Sequence, residues 1–307
     1  MKILVTGGAG FIGSHIVDAY ISLNHEVVIV DDLSTGRKEN INPRAEFFKL
    51  DIQDSGLQDI FAKYQFDVVN HHAAQMDVRR SVLDPKFDAQ VNVIGTLNLL
   101  QNCIKYKVKR FIFASTGGAV YGEQDYFPAD EQHPTWPLSP YGITKLTGEK
   151  YLYYFKEVCG LPYVILRYSN VYGPRQNPHG EAGVVAIFAS KLLAGEQPII
   201  NGDGMQTRDY AYVGDLVRVN VTALDYSKSE IFNIGTGVET DVNRIFQIIN
   251  ELTGAGKDEY HGPAKAGEQL RSCLSYAKAE KYLGWKPEVE LNQGLKKTVE
   301  YFRDQSL

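Results

Sequence analysis

Tyr141 and Lys145 stand four residues apart in Tyr141-Gly-Ile-Thr-Lys145, a spacing that puts a phenol and an ammonium on one face of a helix. A nearby ammonium favours the phenolate and lowers a tyrosine pKa from its ordinary ~10, so such a tyrosine can carry protons near neutral pH. Spacing alone does not distinguish the pair. Tyr282 and Lys286 repeat it, with Gly284 between them and Pro287 next, a poor setting for a helix. Before Tyr141 stands Ser139-Pro140, an N-cap followed by proline at the first helical position. Tyr141 then falls in the first turn, where the positive end of the helix dipole also favours an anion.

A proton carrier needs a partner for the electrons, and the N-terminus provides a place for one. Thr6-Gly7-Gly8-Ala9-Gly10-Phe11-Ile12-Gly13 follows an apolar strand pattern and opens a helical one. Gly7, Gly10 and Gly13 satisfy G-x-x-G-x-x-G, and Gly8, Gly10 and Gly13 satisfy G-x-G-x-x-G. The first glycines permit a tight turn against a pyrophosphate. The last lets the helix, whose N-terminus faces the anion, pack on the strand. Asp31, 18 residues after Gly13, ends the second strand and can accept hydrogen bonds from an adenosine ribose. Asp32 beside it adds negative charge that would repel a 2′-phosphate, so NAD is expected rather than NADP. Arg37 reads as a loop surface residue.

The elements that must position these groups alternate. Strands are expected at Lys2–Thr6, Glu26–Val30, Glu46–Leu50, Asp67–His71, Arg110–Ala114 and Tyr163–Arg167, with helical patterns near 12–23, 54–64, 86–107 and 140–159. Such alternation implies an α/β fold, a Rossmann-type doubly wound parallel sheet covered on both faces. After Arg167 the rhythm breaks at a turn-rich loop, Gly173 to Gly180. Helices near 183–195, 214–226, 241–253 and 291–304 follow, a smaller α+β lobe. We expect a cofactor domain over 1–168, completed by part of 213–238 through Ile231–Gly235, and a substrate lobe over 169–307. The helices near 86–107 and 140–159 carry apolar groups on more than one stripe, which suggests a homodimer interface through them.

The chain has 307 residues, 44% hydrophobic and 22% charged, with net charge −5. That balance, without a long basic block, argues against nucleic-acid binding. No apolar run is long enough to span a bilayer. Cys103, Cys159 and Cys273 share no metal or redox spacing, so they are expected to be reduced, with no metal bound, in a cytoplasmic enzyme.

Together the glycine motif, Asp31, Ser115-Thr116 and Tyr141/Lys145 resemble the NAD-dependent epimerase/dehydratase family of extended short-chain dehydrogenases/reductases, and within it the UDP-glucose 4-epimerases. The resemblance spans nearly the whole chain and includes Leu166–Arg175 and Gly202–Tyr210. It implies a homodimeric isomerase of galactose metabolism that binds a UDP-sugar. It also implies that Asp51 and Ile52 flank the adenine, that Ala73, Ala74 and Gln75 lie against the cofactor, and that Asn92 and Tyr168 lie near Tyr141 and the nicotinamide. Lys145 would bond the nicotinamide ribose. Asn170 and Arg208 match contacts to the diphosphate and uridine, with Asn201 and Tyr210 in the same pocket-forming stretches.

Ser115-Thr-Gly-Gly-Ala-Val-Tyr-Gly122 separates the reactions that the family performs. Its 4,6-dehydratases usually carry an Asp-Glu pair here and its decarboxylases a glutamate; this chain has neither, the first carboxylate being Glu123. What remains is a hydroxyl for the sugar 4-oxygen, Thr116 or, with the alignment slipped by one residue, Ser115. Lys265-Ala-Gly-Glu268 departs from the family's usual arginine and aspartate, so Lys265 or nearby Arg271 takes that contact. Ser272 stands where a bulky residue elsewhere blocks N-acetylated sugars. The expected activity is 4-epimerisation of UDP-glucose and UDP-galactose through a 4-keto sugar. The alternatives are epimerisation of UDP-N-acetylglucosamine or UDP-glucuronate, a dehydratase or decarboxylase, and a non-catalytic NAD-binding sensor.

Overall fold

A computed structural model describes residues 1–179, 183–264 and 269–305 of the chain. The strands are β1 (Lys2–Thr6), β2 (Glu26–Asp31), β3 (Glu46–Lys49), β4 (Val68–His71), β5 (Arg110–Thr116), β6 (Tyr163–Tyr168), β7 (Asn170–Tyr172), β8 (Ile200–Asn201), β9 (Thr207–Tyr212), β10 (Glu230–Ile234), β11 (Glu239–Asp241), β12 (His261–Gly262) and β13 (Arg271–Ser272). The helices are α1 (Phe11–Ser22), α2 (Leu57–Tyr64), α3 (Val78–Leu83), α4 (Pro85–Ala89), α5 (Gly95–Lys105), α6 (Gly117–Val120), α7 (Pro140–Cys159), α8 (Val184–Leu193), α9 (Val213–Ala223), α10 (Val242–Thr253), α11 (Ala277–Leu283) and α12 (Leu291–Gln305).

Seven strands form one parallel sheet in the order β10-β6-β5-β4-β1-β2-β3. The order reverses between β1 and β4, the switch point at which open α/β sheets bind ligands beyond their strand ends. Period-two alternation sends Ile3 and Val5 to one face, with Val17, Leu216 and Trp285, and Leu4 to the other, with Leu99, Phe113 and Leu152. A near-continuous apolar run such as Val27–Val30 is what burial on both faces requires. A third cluster, with Tyr172, Phe188, Ile245, Phe246 and Leu295 at its centre, packs α8, α10 and α12 against the small strands.

The helix expected near 86–107 runs continuously from Pro85 to Lys105 but is not regular throughout. Asp84 caps α4 through the Phe87 amide, and a π-helical turn over Gln90–Ile94 intervenes before α5. Such a wide turn re-aims side chains relative to a straight helix, and here it turns Asn92 inward. Helix α7 has the expected start. The Ser139 hydroxyl accepts from the Gly142 amide at 3.1 Å, Pro140 follows, and Gly160 ends the helix at φ +76°. Gly148 brings α7 against β5. A Cβ there would lie 2.7 Å from Phe113 Cζ. Gly148→Val should therefore cost on the order of 2 kcal/mol by overpacking, read as a lower urea midpoint with unchanged slope.

Candidate active site

The residues that could do chemistry converge at the carboxyl ends of the sheet strands. Between β1 and α1 the chain turns at Gly7, φ +71°, where a Cβ would meet the Ala73 backbone nitrogen at 2.6 Å, and a Cβ at Gly13 would collide with the Gly7 carbonyl. At Gly10 a Cβ would meet only the Gly7 oxygen, at 3.1 Å. Helix geometry leaves the amides of Phe11, Ile12 and Gly13 without carbonyls of their own turn. No side chain caps α1, and its first turn holds no acidic residue. A dinucleotide pyrophosphate fits this uncapped, close-approach turn.

Asp31 ends β2, 6% exposed, with Oδ2 accepting from the Ala9 amide at 3.0 Å and Oδ1 from the Leu33 amide at 2.9 Å. Burial pushes its carboxyl upward; those two bonds oppose the shift. A carboxylate has about four lone-pair sites, so capacity remains for a ribose. Asp32 is exposed and holds a turn through the Ser34 amide and hydroxyl. Asp51 likewise holds a turn through the Gln53 amide, and the Ile52 side chain packs into the core. Ala73 and Ala74 lie partly exposed after β4.

Three residues expected at the cofactor have side chains occupied elsewhere. Gln75 donates to Asp88 at 2.9 Å and accepts from the Asp77 amide. Asn92 accepts from the Gln75 amide at 2.9 Å and donates to Asp88 at 3.1 Å. The Tyr168 hydroxyl meets His72 Nε2 and Asn220, and its ring stacks on His72.

Ser115 and Thr116 part company because successive strand residues face opposite ways. The Ser115 hydroxyl donates to Glu149 Oε1 at 2.6 Å, inside the protein. Thr116 faces Tyr141, close enough to favour its phenolate. The reading that left either hydroxyl available is corrected: Ser115 faces away, against α7. Glu149 also takes both nitrogens of the Arg167 fork, at 2.9 and 2.6 Å, and Arg167 continues to the Tyr121 hydroxyl.

Lys145 is 4% exposed, with Nζ 4.8 Å from the Phe113 ring centre. Burial lowers its pKa to about 8, against the upward pull of Asp88 and Glu149. Tyr141 is pushed above the ordinary phenol range by burial first and by Asp88 second, with nearby Thr116 opposing. The expectation that Lys145 holds the phenol down is thus corrected for the protein's own groups, because enclosure and a buried carboxylate dominate. His71 and His72, at the end of β4, are held neutral by burial, His72 near 3.

Register in the smaller lobe joins the residues expected at the nucleotide. Asn170 pairs with Tyr210 between β7 and β9, and Arg208 with Ser272 between β9 and β13. Asn170 Oδ1 and Thr116 Oγ1 both border Gly118, which joins that sheet to the tyrosine. Asn201 is partly buried on β8, and Ser272 is buried. Arg271 is bound bidentately by Glu239 and lies over Phe127. Lys265 and Glu268 fall outside the described residues. Asp88, Glu149 and Arg167 had escaped the sequence reading. Glu149 had a signal, four residues after Lys145; Asp88 had none.

A dinucleotide turn at the switch point and a tyrosine–lysine pair on α7, beside the end of β5, fit a cofactor-dependent enzyme. Residues 3–235 match the family model of the NAD-dependent epimerase/dehydratase family. A putative UDP-glucose 4-epimerase of Methanocaldococcus jannaschii is 51% identical over 98% of each chain. The crystal structure of a Thermotoga maritima UDP-glucose 4-epimerase with UDP-glucose superposes at TM-score 0.99, with 50% identity over all of both chains. A Thermus thermophilus UDP-glucose 4-epimerase in complex with NAD gives TM-score 0.94, with 43% identity over 99% of each. The chain belongs to the NAD-dependent epimerase/dehydratase family.

The Glu149–Arg167 pair is the buried charge most exposed to mutational damage. Arg167→Met leaves Glu149 buried and unpaired and should cost about 3–5 kcal/mol, whereas Glu149→Leu/Arg167→Met together should recover much of it; urea unfolding of the three variants reads both.

Proposed function

We propose that the chain is an NAD-dependent 4-epimerase of UDP-hexoses, interconverting UDP-glucose and UDP-galactose through a transient 4-keto sugar. The observation that carries this reading is the approach of Thr116, at the end of β5, to Tyr141, with Lys145 buried close by and no carboxylate from Ser115 to Gly122. Dehydration needs an acid and a base placed there; a single hydroxyl pair suits removal and return of one proton.

NAD, held by the glycine turn and Asp31, would supply the acceptor and donor of the hydride. Tyr141 as phenolate accepts the 4-hydroxyl proton and donates it back when the keto sugar is reduced on its other face. Thr116 orients the reacting oxygen, and Lys145 supplies a fixed positive charge and a donor for the cofactor's ribose. Gly7, Gly10, Phe11, Ile12 and Gly13 hold the pyrophosphate, and Asp31 the adenosine ribose. Asn170, Asn201, Arg208 and Tyr210 hold the uridine diphosphate, Arg208 through its planar fork.

In the cell we place this enzyme in the cytoplasm, in galactose metabolism; its cysteines are unpaired, which suits a reducing compartment. It works as a homodimer. Ile143, Tyr154 and Val158 are about half or more exposed along one stripe of α7, and Ile94 is exposed just before α5, an apolar face of the kind that subunits cover.

Purified protein incubated with UDP-glucose and no added NAD should yield UDP-galactose. Tyr141→Phe should abolish this while retaining bound NAD, Thr116→Val should lower kcat about 10²-fold or more, and Ser115→Ala should lower it less than Thr116→Val does. Free keto sugar or carbon dioxide as the product would transfer the assignment to a dehydratase or decarboxylase. For the interface, Tyr154→Glu/Val158→Glu should convert a dimer to a monomer by light scattering; an unchanged mass removes α7 from the contact.

A further inference from the structure

We propose that Asp88 is the fixed counter-charge of the Tyr141/Lys145 pair and sets the pH range in which the pair works. The proposal rests on the reading that Tyr141 is the proton carrier.

Asp88 lies on α4 and is 0% exposed. Its carboxylate accepts from Gln75 Nε2 at 2.9 Å, Asn92 Nδ2 at 3.1 Å and Thr144 Oγ1 at 2.7 Å. All three donors are neutral, and they come from the loop after β4, the π-helical turn and α7. Neutral donors stabilise a carboxylate's charge without cancelling it, so the field persists outside the cluster. Thr144 lies between Tyr141 and Lys145 in sequence, at the start of α7, so the same helical turns that present the pair also present Asp88's ligand. The physical consequence is a shared upward bias. A negative charge enclosed with a phenol and an ammonium makes both hold their protons more tightly: Asp88 adds to the upward push of burial on Tyr141 and opposes the downward push of burial on Lys145.

The other charges around this group are accounted for. On α7 they are Lys145 and Glu149, and Glu149 is neutralised by Arg167 from β6. On β4, His71 and the adjoining His72 are neutral. Asp77 and Asp84 cap α3 and α4, Arg79 of α3 is exposed, and Arg80 of α3 lies over the Phe87 ring at 4.0 Å. Lys86 completes α4. Asp88 is the buried negative charge in this set whose hydrogen-bond donors are all neutral. It touches neither reacting atom in this arrangement, so its role is that of a positioning residue acting on charge.

The test is the pH profile of kcat for UDP-glucose and UDP-galactose interconversion by the holoenzyme. Asp88→Asn removes the charge at constant size. Tyr141 should then ionise at lower pH, and Lys145 should lose its proton at lower pH. Both limbs of the profile should therefore move to the acid side by on the order of one unit, with KM changed less than about threefold. Thr144→Val disturbs the same cluster but keeps the charge, and its limbs should stay in place. Limbs that remain fixed in Asp88→Asn, or move equally in Thr144→Val, overturn the proposal. If Asp88→Asn does not fold, carboxyl 13C NMR of the wild-type holoenzyme decides: an Asp88 that is protonated across the working range cannot be the counter-charge, and one that is ionised there upholds it. Failure of the functional reading looks different, because then Tyr141→Phe retains turnover whatever Asp88 does.

Discussion

Helix α7 carries Tyr141, Lys145 and Glu149 on its first two and a half turns, and one buried ion pair ties it to the sheet. Arg167 from β6 grips Glu149 with two parallel hydrogen bonds, Ser115 from β5 adds a third, and Tyr121 and Asn233 extend the chain. Few arrangements satisfy a guanidinium and a carboxylate together out of water, because each donor and acceptor left unmet carries a desolvation cost. Rotation or sliding of α7 would break several of these bonds at once. Thr116, the residue after Ser115, inherits its orientation toward Tyr141 from this anchorage.

The same anchorage explains why the site's electrostatics run against a simple tyrosine–lysine picture. Enclosure penalises phenolate and ammonium alike, raising one group and lowering the other. A site this dry gains strong fields from few charges. Asp88 and Glu149 face the lysine with negative charge, and only Glu149 has a cationic partner of its own.

Much of this was legible in the residues. The parallel strands follow from short β-branched runs, and α7 from the cap at Ser139 followed by Pro140. The glycine turn could be recognised because glycine is required there by backbone approach. The choice between Ser115 and Thr116 could not be read, since it depends on where β5 ends and which face each residue takes; one residue of uncertainty reverses the answer. The Asp88 cluster draws donors from three segments brought together by a π-helical turn, and no periodic signal encodes such a turn. Gln75 and Asn92 also give their side-chain amides to a buried carboxylate, a demand that residue type and position alone do not reveal.

Strand β10 pairs with β6 after the chain has passed through the smaller lobe. During synthesis the backbone of β6 therefore leaves the ribosome about 60 residues before its outer neighbour exists, which at 5–20 residues per second means an open sheet edge for several seconds. An edge of this kind is a template for pairing with other chains. The first half of the molecule is thus a folding unit that stays incomplete until the second half returns to it, and a nascent chain would gain from a chaperone in that interval. Gene fragments ending near residue 168 inherit the open edge permanently.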